Sequence, residues 1–291
     1  MGNEEISLNR FIQATSRATL LFLSTSIGWG KEIKLVDPDG LPFLLVHENT
    51  CNSYLIRSGD ACLIIDWGTG GFLPHLNGLG INKVERVLFT HHHREQLQGA
   101  GLIDRSTAKV WAPAKERDFF EKPASFRKWW PKLGDKFSVY GASYLRPPAY
   151  PIVLDRVLED GESFDWKGFR FTGLSTPGHS PGHMAYLLER DGKTIAFTGG
   201  HFHDGAKLST WFDSEWDYGF GKGIDALLES TDKLITRKPV LALPSHGPPI
   251  DRATRQLETF KKKLTVFRAS YVRGYPVHKM KPEEADGYSK P

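Results

Sequence analysis

Through the middle of the chain, apolar runs of four to seven residues are bounded by Gly, Pro or Asp, a pattern that predicts strands. Pro42–Val46, Ser53–Arg57 and Ala61–Ile65 are spaced as antiparallel neighbours, and Val84–Thr90, Ala108–Ala112, Phe169–Ser175, Met184–Leu188, Lys193–Phe197 and Val240–Leu243 continue the series. Between some of these the apolar positions change to helical spacing, over Gly223–Ile235 and Arg252–Phe267. Strands interleaved with helices predict an α/β protein, and the hairpin-joined strands predict mixed rather than wholly parallel sheets. The longest apolar stretches are about six residues, against roughly 18 for a membrane-spanning helix, so no span is expected.

Two stretches break this rhythm. Residues 118–151 are aromatic-rich, cationic and interrupted by Pro131, Pro147, Pro148 and Pro151, which predicts an insertion in the main domain, with its aromatics and those of Trp211–Tyr218 beside a substrate cleft. Residues 271–291 form a polar tail with Pro276, Pro282, Glu283 and Glu284, expected to act as a linker toward a further domain. The main domain is therefore placed at 41–270, after an N-terminal segment at 1–40. Within that segment Asn9–Gln13 and Ala18–Leu23 faintly resemble an export signal, but Arg17, Glu4 and Glu5 argue against it and a cytoplasmic location is expected. Ile6 stands where a myristoylation start needs Ser or Thr.

The 291 residues are 40% hydrophobic, 25% charged and 12% aromatic, which excludes a disordered or fibrous chain. Thirty-eight basic against 34 acidic residues give a dispersed +4, too mild to indicate a nucleic-acid partner. Only Cys51 and Cys62 are present. A turn centred on Ser58 and Gly59 places Cys62 opposite Leu55 or Ile56 rather than Cys51, so neither a disulfide nor a cysteine-based zinc ribbon is expected.

The 11 histidines carry the chemistry through their placement. The Val84–Thr90 run ends in His91-His92-His93-Arg94-Glu95-Gln96, and Phe169–Ser175 ends in Thr176-Pro177-Gly178-His179-Ser180-Pro181-Gly182-His183. Lys193–Phe197 ends in Thr198-Gly199-Gly200-His201-Phe202-His203-Asp204, and Val240–Leu243 in Pro244-Ser245-His246-Gly247. Loops beyond strand carboxyl ends are where α/β sheets place ligands. His91 and His93, two apart, can point the same way, and with His179 they supply three neutral nitrogens, leaving a fourth tetrahedral position for water as catalytic zinc requires. His92 and His183 are expected to support these ligands, whereas His47, His75 and His278 stand outside the pattern.

In order and spacing these motifs resemble the metallo-β-lactamase fold hydrolases, whose pattern is His-x-His-x-Asp-His, then Thr-Pro-Gly-His, then Thr-Gly-Asp, then a late His-Gly-Pro. The resemblance runs from Glu48 to Pro249 and includes Ile64-Ile65-Asp66-Trp67-Gly68. It implies an αββα sandwich of two mixed sheets flanked by helices, with a metal site along one edge between the sheets. It also implies that Asp66 steadies a ligand histidine without binding metal itself.

The departures shape the expected chemistry. Glu95, Gln96 and Gly200 stand where the family has the second-metal Asp and His and the bridging Asp, so the second site keeps only His246 and the longer Glu95. Two divalent ions about 3.5 Å apart repel by about 19 kcal/mol even at an effective dielectric of 20, which bridging anions normally offset. One tightly held ion is therefore expected, zinc before iron or manganese, with His201, His203 and Asp204 as substitute ligands and Gln96 limited to hydrogen bonding.

The leading reading is a hydrolase in which a metal-bound hydroxide, oriented by Glu95, attacks an ester, thioester, lactone or amide carbonyl of a small molecule polarised by His246. A non-catalytic sensing module with a degenerate site is the alternative, and a mononuclear iron oxidoreductase the third reading.

Overall fold

The computed structural model describes residues 32–37, 40–124, 148, 150–208 and 222–274. The export-like segment, most of the aromatic insertion, Trp211–Tyr218 and the polar tail beyond 274 lie outside the described residues.

One sheet runs β1 (Ile33–Leu35), β2 (Leu44–Glu48), β3 (Asn52–Ser58), β4 (Ala61–Ile65), β5 (Lys83–Leu88), β6 (Lys109–Pro113) and β7 (Arg156–Leu158), in that spatial order. β1 to β4 form an antiparallel meander, and β4 to β7 pair in parallel. The second sheet holds β8 (Ser163–Trp166), β9 (Phe169–Ser175), β10 (Met184–Arg190), β11 (Lys193–Gly199), β12 (Leu241–Pro244) and β13 (Ile250–Asp251), antiparallel except for β11 against β12. The sheets are mixed, as hairpin-joined strands required.

Strand side chains alternate between a shared inter-sheet core and an outer core on the far face of each sheet. Tyr54, Ile56, Leu63 and Ile65 of the first sheet meet Phe171, Tyr186, Leu188 and Phe197 of the second in a common layer. Leu55, Cys62 and Ile64 face the opposite way, onto Phe72, Leu97 and Phe120. Ala185, Leu187 and Ala196 face outward onto Leu227, Leu234, Leu257 and Phe260. The last four belong to α3 (Lys222–Thr236) and α4 (Ala253–Gly274), whereas Leu97 closes α1 (Arg94–Leu97) and Phe120 lies in α2 (Arg117–Glu121). Burial on both faces is why the strands read as continuous apolar runs. The αββα sandwich implied by the resemblance is the fold observed.

One register differs from expectation. The turn residues are Gly59 and Asp60, so Ser58 faces Ala61 and Cys62 faces Arg57, not Leu55 or Ile56. The hairpin loop is one residue further along because Gly59 takes the left-handed φ of 61° that such a tight turn needs. Cys51 and Cys62 are buried and free.

Candidate metal centre

The strands stop where the backbone must turn toward the cleft. β5 ends at Leu88, and Phe89-Thr90 carries the chain to His91, His92 and His93, the last being the residue before α1. His179 sits in the turn between β9 and β10, and His246 follows β12. The first sheet also holds this last loop: Asn52 Nδ2 donates to the carbonyls of Pro244 (2.9 Å) and Gly247 (2.8 Å), and the Tyr54 hydroxyl to that of Pro244 (2.7 Å).

His91, His93 and His179 converge. One nitrogen of each lies within 4.8 Å of the others, and ring centroids are 4.5 Å (His91–His93), 4.7 Å (His91–His179) and 4.7 Å (His93–His179) apart. The Nε2 atoms of His91 and His179 are 3.2 Å apart. Nitrogens about 2.05 Å from a tetrahedral zinc stand roughly 3.3 Å from one another, which the His91–His179 pair matches. All three rings are buried, and burial, reinforced by neighbouring imidazoles, pushes each well below the usual histidine range. They are neutral, as ligands must be.

The tautomer of His91 is set from behind. Asp66, fully buried, accepts from the Thr90 backbone N–H (2.9 Å) and the Thr90 hydroxyl (2.8 Å). With its proton given to Asp66, the Thr90 oxygen accepts from His91 Nδ1–H at 2.8 Å, which leaves the lone pair on Nε2, facing His179. Asp66 thus reaches His91 through Thr90 rather than directly. Burial pushes its carboxyl up to about 7, against the pull of Thr90 and Ser245.

The other predicted residues fall around this centre. Glu95 Oε1 is 4.0 Å from His93 Nδ1. In the orientation that satisfies both ends of its amide, the Gln96 nitrogen, with two N–H donors, lies within reach of His91 Nε2 (3.2 Å), Glu95 Oε1 (3.3 Å) and the His93 carbonyl (3.1 Å). His246 lies outside the three-nitrogen group and is paired with His203, centroids 5.7 Å apart, whose Nδ1 donates to the His246 carbonyl at 3.0 Å. Burial, then His203, lowers His246 to about 4.

His183, His201 and Asp204 are engaged elsewhere. His183 Nε2 accepts from Gly200 N–H at 3.2 Å and its Nδ1 donates to the Thr176 carbonyl at 3.1 Å, so both nitrogens are committed. His201 turns into the helical layer, where Nε2–H meets Thr231 Oγ1 at 3.0 Å beside Phe260. Asp204 accepts from Gln256 Nε2 of α4 at 2.9 Å. A Cβ at Gly200 would stand 2.2 Å from His179 Nε2, so a side chain there requires the His179 ring to shift.

Sequence reasoning missed Glu116, which follows β6 on the same end of the sheet and is fully buried. Its Oε1 accepts from Ser180 Oγ (2.7 Å) and Gly182 N–H (2.7 Å), and its Oε2 from His92 N–H (3.1 Å) and, more closely, the His92 ring. Burial alone would raise this carboxyl; His92 and the donated hydrogen bonds outweigh it and hold Glu116 below the usual range. The available signal was weak: a carboxylate three residues past the carboxyl end of β6, set among the charged Lys115, Arg117 and Asp118. Of the described aromatics of the 118–151 stretch, Phe120 is core, and Phe119 stacks on His92 at 4.1 Å.

Comparison with known proteins places the chain in a family. The sequence profile of the metallo-beta-lactamase superfamily matches residues 48–246, and the chain belongs to that superfamily. It is 26% identical over 228 residues to the lactamase-like protein nscB of Neosartorya fischeri, covering 74% of this chain and 53% of the relative. With the hydroxyacylglutathione hydrolase of Pseudomonas entomophila it shares 28% over 142 residues, covering 47% and 41%. The chain thus spans about half the length, or less, of these curated relatives. Among solved structures, the subclass B3 metallo-beta-lactamase BJP-1 of Bradyrhizobium japonicum superposes with a TM-score of 0.60 at 17% identity, over 86% of this chain and 97% of that one. A Cronobacter sakazakii metallo-beta-lactamase with a HARLDQ motif gives 0.61 at 15% identity, over 83% and 96%. Among the described residues no helix is long and apolar enough to cross a membrane.

Proposed function

We propose that this chain is a metal-dependent hydrolase of small-molecule esters, thioesters, lactones or amides, built on one tightly held divalent ion. The observation that carries the reading is the convergence of three buried, neutral imidazoles, His91, His93 and His179, the first and last at the nitrogen spacing of a tetrahedral set. The relatives support the substrate class, since one is named for hydrolysis of an acylglutathione, a thioester.

His91, His93 and His179 would hold the ion, zinc before iron or manganese on the softness of an all-imidazole set. When bound, such an ion brings water toward a pKa near 7 and polarises a carbonyl. Glu95, beside His93, orients the attacking water and carries its proton to the leaving group, a role worth about 10²- to 10⁴-fold in rate. Gln96 holds the Glu95 carboxylate in place through its amide N–H. His246, kept neutral by burial, donates an N–H to the substrate carbonyl oxygen. With glycine at position 200, no carboxylate bridges from there toward a second ion, which supports the one-ion count.

The test is metal analysis after dialysis, together with turnover of chromogenic ester and thioester substrates. About one equivalent of zinc and a zinc-dependent rate are expected, both lost in His93→Ala with the fold retained by circular dichroism. Metal-loaded protein inactive on every carbonyl substrate would overturn the hydrolase reading, and two retained equivalents would overturn the one-ion count.

A further inference from the structure

The two loops that bring the imidazoles together come from different sheets. Among the described residues Glu116 touches both. One carboxylate oxygen takes the backbone N–H of His92, which lies between His91 and His93, while the other takes Ser180 Oγ and the N–H of Gly182, one and three residues past His179. The approach is close: a Cβ on Gly182 would stand 2.8 Å from Glu116 Cγ and 2.8 Å from the Lys115 carbonyl carbon, so only glycine lets the second loop dock. A carboxylate receiving several N–H and O–H donors, all buried, is a rigid joint, because each bond is charge-assisted and none competes with water.

We propose that Glu116 is the positioning residue of the metal centre, setting the separation of the His91–His93 loop from the His179 loop and thereby the tightness and geometry of ion binding. This rests on the metal reading above. Glu116 does not touch the ion or the substrate; it acts through the backbone of both loops. A side chain there that cannot accept four donors lets the loops drift apart and loosens the nitrogen set. Removal of outer groups that orient metal ligands costs about 10- to 100-fold in affinity.

The experiment uses the full chain, with Co(II) as a spectroscopic probe and Zn(II) competed against a chromogenic chelator. Glu116→Ala is expected to weaken zinc binding about 100-fold and to alter the visible Co(II) bands, and Glu116→Gln, which keeps the volume and one acceptor, about tenfold. Ser180→Ala, which removes a single donor, gives a smaller loss and keeps the test decisive if Glu116→Ala does not fold. Leu264→Ala, buried on α4 away from both loops, controls for general destabilisation: it lowers the melting temperature and leaves zinc affinity and the Co(II) spectrum unchanged. Wild-type affinity and spectrum in Glu116→Gln and Ser180→Ala would overturn the proposal while leaving the metal reading intact. Failure of the wild-type chain to take up either ion would overturn both.

Discussion

At the scale of single residues, Gly200, which stands where the family resemblance implies a bridging carboxylate, is the informative position. A Cβ there would stand 2.2 Å from Nε2 of the His179 ring, which would have to move to admit any side chain. Gly200→Asp is accordingly expected to displace His179 and lower affinity for the first ion by an order of magnitude or more, without gaining a second; metal stoichiometry with chelator competition reads both. His201 makes the complementary case. Burial lowers it to about 3, whereas in the unfolded chain it titrates near 6.5. Between those values the unfolded chain binds the extra proton, so stability is lost as pH falls below about 6.5, by about 2–3 kcal/mol at pH 4.5 from this residue. His201→Phe, which fits beside Phe202 and Phe260, should flatten the acid limb of a urea-denaturation series and leave zinc uptake unchanged. Loss of zinc in that variant would return His201 to the ligand set.

At the scale of elements, α3 holds the second histidine loop as Glu116 does, from the other side. Ser230 Oγ donates to the Pro177 carbonyl at 2.7 Å, and Gly178, at φ 131°, packs so tightly that a Cβ would stand 2.6 Å from the Leu227 nitrogen. Gly178→Ala is expected to lift this loop off the helix and weaken zinc binding at least tenfold. Leu227→Ala, which opens a cavity under the same contact, should cost about 2–5 kcal/mol in denaturant unfolding. Most elements were legible from sequence because burial on both faces made strands apolar throughout: Ala61–Ile65 and Phe169–Ser175 match their predicted limits. What escaped notice has a physical reason. β7 and β8 mix exposed Arg156 and Asp165 with apolar neighbours at sheet edges, and β1 and β13 are only three and two residues long, too short for periodicity to register. In the site, the histidines could be read from spacing, whereas the bonds of Thr90 to Asp66 and of Glu116 to both loops are contacts that only the folded chain brings together.

At the scale of the whole molecule, the three clustered histidines come from both sheets, His91 and His93 following β5 and His179 following β9. An ion that binds only this arrangement stabilises it by mass action, about 2.7 kcal/mol at a free concentration 100 times Kd. For a domain of this size that corresponds to a melting temperature about 5–10 °C lower after chelation, restored on adding zinc, in a scan of the same protein with and without chelator. An unchanged melting temperature in a protein shown to carry the ion would mean that the nitrogens are held equally well in the unfolded chain.

The order of those histidines along the polypeptide bears on biosynthesis. During translation His91 and His93 leave the ribosome while the second sheet does not yet exist, and His179 joins them only after some eighty-six more residues have been added. On the proposed ligand set, a nascent chain would offer only the His91–His93 pair before the second sheet is made. Three-point loading would then wait until the halves have docked, and occupancy would be a late certificate of correct folding rather than its trigger.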